Sequence, residues 1–477
     1  MNTLYWHDYE TWGEVPNLDK PSQFAGVRTN EELEIVGDPL SIYCQPASDC
    51  LPKPEACLVT GITPQHALKH GLPDYEFMRE IHHELSRPGT CGVGYNSIRF
   101  DDEVTRNGLF RNFYDPYERE WRNGNSRWDI IDVVRLTYAL RPEGIEWPRH
   151  EDGSPSFRLE ELSKANKLVH ESAHDALSDV YATIALAKLV KNKQPGLYDY
   201  AYKLRDKKNV ADLIDLSSRK PLLHISSRYP ASQACAAFVV PLAMHPENKN
   251  GVIVYDLSAS PSLLSDLSVE EISERLFTRR EDLDEGVERV PLKVVHLNKS
   301  PILTTPKLVD AKIAERIKLD KNICEKHWQE IKDLDLTEKL HAVFSSNQFP
   351  ESNDPEQSLY QGFLDNRDKK TMMDVRAASA KTLANTTFSF YDKRLPELLF
   401  RYRARNFPDS LSEQEKLQWR EYLKIRFNDS DGATGQSVKV FREKIELLLN
   451  DGTLSAEKKE VLKELLSYQE SLIRNIL

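Results

Sequence analysis

The stretch Leu4-Tyr5-Trp6-His7-Asp8-Tyr9-Glu10-Thr11 decides the fold, because an aromatic and apolar run leads directly into two acids. Successive side chains of a β-strand point to opposite faces, so Asp8 and Glu10 are predicted to stand side by side. Two carboxylates that close repel each other unless a cation lies between them. Their hard oxygens suit magnesium or manganese, which makes this strand a candidate metal site. The alternative is an exposed strand end with two solvated acids, because short motifs also match by chance.

Length and composition describe a protein of more than one domain. The 477 residues are too many for a single compact core, and 40% hydrophobic with 29% charged residues is ordinary for a globular protein. No apolar run reaches the length of a membrane span and no signal segment leads the chain, so we expect no membrane partner and a cytoplasmic location. The net charge of −11 argues against nucleic-acid binding over the whole surface but leaves room for a narrow, locally basic groove.

The order of the predicted elements indicates an α/β domain, then a β-rich domain, then a helical domain. Strands are predicted at residues 3–11, 23–28, 33–37 and 91–96, the first three as an antiparallel meander, with helices at 74–85 and from His174 onward. Ser156 is predicted to cap a further helix. Later strands at 236–242, 252–257 and 294–297 are followed by a polar linker at 345–355 and by helices at 438–449 and 456–476. We therefore place the domains at 1–194, 195–349 and 350–477.

Two segments each allow two interpretations. Asp101 and Asp102 stand where a helix is predicted to begin, and acids there are favoured by the helix dipole; alternatively, one of them turns toward Asp8 and Glu10. The segment at 401–407 mixes guanidinium groups with aromatic rings. That mixture suits stacked bases and phosphates, and it suits a network of salt bridges between domains nearly as well.

The acids and one histidine together make a pattern typical of phosphoryl transfer. Asp8 and Glu10 lie on a strand, Asp101 follows a second strand, and Asp179 completes H-x-x-x-x-D with His174. Four carboxylates can hold two divalent ions about 4 Å apart, which stabilises the attacking and leaving oxygens. A histidine beside them can take the proton of the attacking water, because its pKa lies near neutrality.

This set, D-x-E, D and H-x-x-x-x-D, resembles the DEDDh family of 3′→5′ exonucleases. Longer stretches extend the resemblance to bacterial members over essentially the whole chain: HDYETWG (7–13), GYNSIRFDDEVTRN (94–107), RNFYDPY (111–117), SRWDIIDVVRLTYALRPEGIEWP (126–148), PSFRLE (155–160), AHDALSDVYATIALAKLVK (173–191) and RYRARNFP (401–408). These stretches are far more specific than the acid pattern. The resemblance implies an α/β ribonuclease-H-like exonuclease domain, followed by an SH3-like β domain and a C-terminal helical domain.

The resemblance also implies an activity and its metal site. The enzyme would digest single-stranded DNA processively from the 3′ end, release 5′-mononucleotides, and serve DNA repair and recombination as a monomer. Asp8, Glu10 and Asp179 would bind two Mg²⁺ ions per active site, for which Mn²⁺ can substitute. Asp101 would complete the catalytic carboxylates, and His174 would be the general base.

Further residues match the family's substrate and partner contacts. The resemblance implies substrate binding by Glu10 and Arg158 near the cleaved end, and strand contacts by a set of arginines and aromatics: Arg106, Tyr117, Trp121, Arg135 and Phe157. For Trp121 and Phe157, core packing is about as plausible as base stacking. The family also binds the acidic C-terminal tail of single-strand DNA-binding protein, and Arg141 and Tyr200 match that pocket. Residues 305–316 match it poorly.

Rival functions remain open from the sequence. One is an RNA-trimming exonuclease of the same superfamily, although such relatives are typically shorter. Another is a non-catalytic single-strand-binding or adaptor protein, which the intact acids and His174 argue against. A carboxylate-pair glycosidase would give the H-x-x-x-x-D helix no purpose.

Overall fold

The computed structural model describes residues 2–168, 175–345, 352–428 and 436–474. Its strands are β1 (Thr3–Thr11), β2 (Pro21–Thr29), β3 (Leu40–Tyr43), β4 (Thr90–Gly94), β5 (Ser126–Asp129), β6 (Leu222–Ile225), β7 (Ala236–Met244), β8 (Gly251–Asp256), β9 (Leu292–His296) and β10 (Ile302–Thr304). Its first helices are α1 (Pro54–Thr60), α2 (Pro64–His70), α3 (Asp74–Leu85), α4 (Asp101–Arg111), α5 (Ile130–Leu140), α6 (Leu159–Ala165), α7 (Ala176–Lys193), α8 (Pro195–Lys203) and α9 (Lys207–Ala211).

The later helices are α10 (Ser262–Ser265), α11 (Val269–Phe277), α12 (Ala311–Arg316), α13 (Lys321–Ile331), α14 (Thr337–Ser345), α15 (Asn366–Ala377), α16 (Ala380–Asn385), α17 (Leu395–Asn406), α18 (Glu413–Asn428), α19 (Val438–Leu449) and α20 (Ala456–Arg474). Within the described ranges, every helix is too short or too polar to cross a membrane. The predicted order of an α/β part, a β part and a helical part is confirmed.

The chain divides into two compact units. The first consists of Met1–Ser126, Glu171–Tyr181 and Glu351–Leu477, and the second of Arg127–His170 and Ala182–Pro350. The first unit therefore combines the start of the predicted first domain with the predicted C-terminal domain. The boundaries after residues 194 and 349 stay predictions.

In the first unit the strands lie in the order β3-β2-β1-β4. β1 pairs antiparallel with β2 and parallel with β4, and β2 pairs antiparallel with β3. The predicted first strand and the antiparallel meander are confirmed. The strand predicted at 33–37 is wrong: this stretch makes only an isolated bridge from Thr29 to Ile35, and the third strand is β3. Leu33 and Gly37 have φ of 65° and 83°, which an extended strand does not accommodate.

The C-terminal helices of the first unit share hydrophobic clusters with its N-terminal part. One cluster joins Trp12 and Cys57 to Trp419 and Phe441. A second joins Phe110 and Phe113 of the N-terminal part to helical residues that include Leu395 and Tyr402. The two parts therefore share hydrophobic cores within one compact unit.

The second unit contains an antiparallel sheet in the order β10-β6-β7-β8-β9. The predicted hairpin of β7 and β8 is confirmed, with an irregular register between Pro241 and Ala243. Proline cannot donate to a ladder, which explains the irregularity at this point.

Helix starts were predicted with mixed success. Ser156 does not cap α6: the helix begins at Leu159, its N-cap position is Arg158, and the Ser156 hydroxyl accepts from the Arg158 backbone N–H at 3.4 Å. The helices at 74–85 and 438–449 have the predicted bounds. Residues 475–476 of the last predicted helix and most of the predicted linker lie outside the described residues.

Candidate active site

Three carboxylates from two distant parts of the chain meet at one point. Asp8 and Glu10 point to the same face of β1, and Asp179 lies in the first turn of α7. One oxygen from each of Asp8, Glu10 and Asp179 lies within 4.8 Å of the others. The structure thus brings together the three side chains that the sequence predicted as metal ligands. We call Asp8, Glu10 and Asp179 the carboxylate cluster.

Asp101, the fourth predicted acid, lies beside this cluster at the start of α4. Its Oδ1 accepts from the backbone N–H of Tyr9 at 3.1 Å, which ties α4 to the strand position between the two β1 acids. Its neighbour Asp102 is instead paired with Arg119 at 2.6 Å. Of the two adjacent acids, Asp101 is therefore the one associated with the cluster.

Burial and mutual repulsion hold protons on the cluster in the absence of a cation. Burial raises the pKa of Asp8 well above its usual range, and the charges of Asp101, Glu10 and Asp179 add to the effect. Burial, together with the charges of Asp179 and Asp101, raises the pKa of Glu10 to about 9. A divalent cation would replace these protons, and an all-carboxylate oxygen donor set fits Mg²⁺ or Mn²⁺. The residues present therefore fit the metal that the sequence predicted.

His174, the predicted base, lies outside the described residues, so its role stays a prediction. The described chain resumes at Asp175, whose Oδ2 accepts from the Ser178 backbone N–H at 3.2 Å and whose backbone oxygen accepts from the Asp179 backbone N–H. These contacts begin α7 in the way an N-cap does. Asp179 is thereby fixed one turn into a helix with a defined start.

The residues near α4 that were predicted to contact a DNA strand differ in exposure and in their hydrogen-bond partners. Trp121 is 63% exposed, so core packing does not account for it. Tyr117 lines a cavity of about 180 Å³ together with Trp121, Phe363 and Lys369. Arg106 is buried, donates to both carboxylate oxygens of Glu120 at 2.7 and 2.9 Å, and also pairs with Glu103. A phosphate contact by Arg106 would have to compete with these carboxylates.

Sequence reasoning missed the aromatic residues that the C-terminal part adds to this region. Phe363 is 89% exposed, and its ring centroid lies 5.9 Å from that of Tyr117. Tyr360, 62% exposed, lies 6.4 Å from Tyr117 by the same measure. The available signal was two aromatics flanking a glycine in a polar segment.

In the second unit, Arg158 and the pair Arg135 and Phe157 differ in exposure. The Arg158 side chain is 71% exposed and lies 3.8 Å from Glu161. Arg135 donates to Asp132 at 2.7 Å, and its guanidinium lies 5.9 Å from the centre of the Phe157 ring. Phe157 is buried and its ring packs edge-on to a neighbouring tyrosine. Arg158 is the freer of these side chains to reach a ligand.

The two predicted partner-binding residues line one groove of about 470 Å³. The Tyr200 hydroxyl donates to the backbone oxygen of Leu303 at 2.6 Å, and Arg141 lies at the end of α5. The remaining lining is mainly apolar: Leu136, Leu140, Gln194, Pro195, Gly196, Leu197, Thr304, Thr305 and Leu308. Thr305 and Leu308 of this lining belong to residues 305–316, the segment whose sequence matched the family pocket poorly.

Three known protein-family models match this chain in the order in which its α/β, β-rich and helical parts follow one another. Family models described as Exonuclease, Exonuclease I SH3-like domain and Exonuclease I C-terminal domain match residues 5–187, 205–346 and 353–472. The chain is 43% identical to Exodeoxyribonuclease I of Escherichia coli (strain K12) over 475 residues, which cover 99% of this chain and 98% of that protein.

Two solved structures are similar over nearly the whole chain. A moderately thermophilic Exonuclease I from Methylocaldum szegediense has a TM-score of 0.95 and 48% identity, covering 99% of this chain and 100% of that one. The zinc-bound form of the E. coli ExoI–ssDNA complex has a TM-score of 0.94 and 42% identity, with the same coverage.

Proposed function

The chain belongs to the exodeoxyribonuclease I family, and from this premise we propose that it hydrolyses single-stranded DNA processively from the 3′ end to 5′-mononucleotides. The observation that carries the proposal is the carboxylate cluster. Its three oxygens lie within 4.8 Å of one another although Asp179 is far from Asp8 and Glu10 in the chain. Such a cluster has no stabilising role by itself, because like charges that close repel.

Divalent metal dependence follows from the donor set and from the zinc-bound relative. Asp8, Glu10 and Asp179 would hold two Mg²⁺ ions in each site, with Asp101 beside them, and Mn²⁺ would substitute. When bound, the ions would lower the pKa of water and neutralise charge that develops on the phosphate. The chain's own contribution is to hold these carboxylates at a fixed spacing, through β1 and the first turn of α7.

His174 is the general base in this proposal. It stands in the pattern H-x-x-x-x-D with Asp179, and an imidazole titrates near neutral pH. Its Nε2 or Nδ1 would take the proton of the attacking water and pass it to solvent. His174→Ala is then expected to lower turnover strongly while strand binding changes little. An unchanged rate would point to another base.

The aromatic cavity of the first unit supports single-strand binding. Trp121, Tyr117 and Phe363 present rings at or near the surface. Lys369 lies beside them, and a phosphate would compete for it with Asp115 at 2.7 Å. Base stacking on such rings is tolerant of sequence, because every base has a π-face, and a cation offers a phosphate contact. Binding of single-stranded DNA by the E. coli relative points to the same ligand.

The remaining predicted contacts have supporting roles in this proposal. Arg158, exposed beside α6, would bind substrate through a phosphate near the cleaved end. Glu10 would also bind substrate, as a member of the carboxylate cluster. Arg135 would contact the strand with Phe157 behind it, since their cation–π arrangement fixes the guanidinium. Arg106 would act through Tyr117, whose ring lies 5.4 Å from its guanidinium.

The groove at Arg141 and Tyr200 is proposed to bind the acidic C-terminal tail of single-strand DNA-binding protein. Its lining is mainly apolar, and Arg141 offers a planar donor for a carboxylate. A peptide with the sequence of this tail should bind the Arg141→Ala variant more weakly than the wild-type protein. It should bind the Arg149→Ala variant, which replaces an exposed arginine outside the groove, as tightly as the wild type. Equal binding to both variants would contradict this assignment. We further propose that the protein acts as a monomer in DNA repair and recombination.

The decisive experiment is a digestion assay in which the protein is incubated with matched DNA or RNA oligomers, labelled at the 5′ end. Each oligomer is tested with Mg²⁺ and with a chelator. We expect stepwise shortening of DNA from the 3′ end in Mg²⁺ only, and mononucleotides as products. Asp8→Ala should abolish this release and leave the far-ultraviolet circular dichroism unchanged. Asp38→Ala, which replaces an exposed acid in a loop, is the matched control and should retain activity.

Each rival function predicts a different result in this assay. Faster shortening of RNA than of DNA would favour the RNA-trimming function. Binding without shortening in any metal would favour an adaptor. Full activity of Asp8→Ala would refute the metal role of the carboxylate cluster.

A further inference from the structure

One uncharged side chain touches both structural elements that build the carboxylate cluster. Gln23 lies on β2 directly across from Glu10 on β1, and it is only 2% exposed. Its side chain reaches the start of α7, the helix that carries Asp179. Glu10 and Asp179 are far apart in the chain, so their spacing depends on contacts of this kind between β2 and α7.

The contacts of Gln23 determine the orientation of its amide. Nε2 donates to Oδ1 of Asp175 at 3.0 Å, and Oε1 accepts from the backbone N–H of Ala176 at 3.4 Å. The reversed amide would face a carbonyl oxygen toward a carboxylate and an NH₂ group toward an N–H donor, so only one orientation satisfies both partners. Glutamine is therefore matched to this position by shape and by hydrogen-bond polarity.

Asp175 connects Gln23 to the first turn of α7. Its Oδ2 accepts from the Ser178 N–H, while its Oδ1 is occupied by Gln23. One carboxylate oxygen of Asp175 thus caps the helix and the other binds Gln23, so a single side chain joins Gln23 to the start of α7. A shift of this cap would shift the first turn of α7, and with it Asp179.

We propose that Gln23 is a positioning residue that holds Asp179 at ligand distance from Glu10. The assignment rests on the proposed metal role of the carboxylate cluster and goes beyond it by naming what sets the cluster's geometry. Neighbours that orient metal ligands typically contribute 10- to 100-fold in metal affinity. A neutral amide performs this task without adding charge beside acids that already repel one another.

The test is a calorimetric titration with Mn²⁺ alone, on the full chain without DNA. Gln23→Met keeps the side-chain length and removes both hydrogen bonds, and it is expected to weaken Mn²⁺ binding about 10-fold or more. Its KM for single-stranded DNA should stay unchanged, and its turnover should recover as the metal concentration is raised. Gln45→Met is the matched control, because the Gln45 amide donates to the backbone oxygens of Leu68 and Gly71, which lie outside the carboxylate cluster.

A polarity swap separates positioning from simple packing. Gln23→Glu alone places a carboxylate against Asp175 and should weaken Mn²⁺ binding. Adding Asp175→Asn restores a donor and an acceptor with reversed direction, keeps the net charge of the site, and retains a good cap residue. Metal affinity within about 3-fold of wild type in this double variant supports the inference.

The outcomes distinguish the inference from the proposed function. Wild-type Mn²⁺ affinity in Gln23→Met, or no recovery in the double variant, overturns the positioning role. An equal loss of Mn²⁺ affinity in Gln45→Met also overturns it. Wild-type Mn²⁺ affinity in Asp179→Asn would instead refute the metal site itself. If Gln23→Met fails to fold, the comparison of Gln23→Glu with its Asp175→Asn partner decides the same question.

Discussion

The guanidinium of Arg119 donates to Oδ1 of Asp102 at 2.6 Å, with side-chain exposures of 1% and 2%. Asp102 follows directly after Asp101, whose carboxylate lies beside the carboxylate cluster. Two identical side chains at the start of one helix therefore have different tasks: one neutralises a buried cation, and the other adds negative charge at the proposed metal site. Adjacent helical residues point about 100° apart, which allows this division.

Asp102→Ala is expected to destabilise the fold, whereas Asp101→Ala is expected to impair catalysis. Removing Asp102 takes away the close partner of buried Arg119 and leaves Glu120 at 3.9 Å, and loss of such a buried partner typically costs about 3–5 kcal/mol. Removing Asp101 relieves repulsion at the cluster and loses the hydrogen bond from the Tyr9 backbone N–H, and such a bond is worth about 1 kcal/mol. Urea unfolding and DNA digestion, measured on both variants, should give opposite rankings. The division of tasks is wrong if both variants lose stability equally.

Trp121→Ala is expected to weaken single-strand binding without lowering stability. A base stacked on an aromatic ring contributes about 1–3 kcal/mol, so the dissociation constant for a dT oligomer should rise roughly 5- to 150-fold. The exposure of Trp121, 63%, leaves little core packing to lose. Fluorescence anisotropy in EDTA measures binding without cleavage. Leu447→Ala is the control, since Leu447 is 74% exposed on a different helix, and an equal loss there would contradict stacking by Trp121.

The sequence predicted which acids come together better than it predicted the partners of the charged residues. Period-two alternation predicts that Asp8 and Glu10 stand side by side. No local rule brings Asp179, which is distant in the chain, to these two acids, and it was predicted from the H-x-x-x-x-D pattern and the family resemblance. Segment 401–407 allowed either nucleic-acid contacts or salt bridges. The structure shows salt bridges: Arg401 pairs with Asp354 and Glu397. No local rule pairs Arg401 with a residue as distant in sequence as Asp354.

Errors in the predicted elements arose where backbone conformation overrides composition. Residues 33–37 include the β-branched pair Ile35 and Val36, which favours a strand, yet positive φ at Leu33 and Gly37 interrupts the extended backbone. Ser156 has a good capping side chain, but the chain remains extended through Arg158 before α6 begins. Gln23 could not be recognised at all, because its role depends on a contact with Asp175 that forms only in the folded chain.

Asp49→Ala is expected to loosen the C-terminal helices from the N-terminal part of the first unit. Asp49 is 1% exposed and pairs with Lys20 at 2.7 Å and with Arg405 at 2.6 Å. Its loss removes the acid paired with buried Lys20 and leaves Arg405 paired with Glu356, and it should cost about 3–5 kcal/mol. Limited proteolysis should then release fragments containing α17 to α20 sooner than in wild type. Asp451→Ala, which replaces an exposed acid, is the control, and equal cleavage rates would contradict the role of Asp49.

His224 is expected to make stability fall as the pH is lowered below about 6.5. It lies on β6 at 3% exposure, with Nδ1 3.0 Å from the Tyr229 hydroxyl. Burial, with a smaller contribution from the Lys293 charge, holds the pKa of His224 well below its usual range. The folded protein therefore keeps this imidazole neutral while the unfolded chain binds a proton. The stability it contributes is complete above the unfolded pKa and is lost as the pH falls toward the folded one.

The loss can reach about 1.4 kcal/mol per pH unit for one such group. His224→Gln keeps a polar partner for Tyr229 and removes the titration, so its urea midpoint should depend less on pH between about 7.5 and 5. Half-buried His296, whose pKa is lowered to about 4, leaves a remaining slope in that variant. His150→Gln replaces an exposed imidazole and should keep the wild-type slope. A His224→Gln curve parallel to wild type would mean that the imidazole is protonated in the folded state, which its burial and the neighbouring Lys293 oppose.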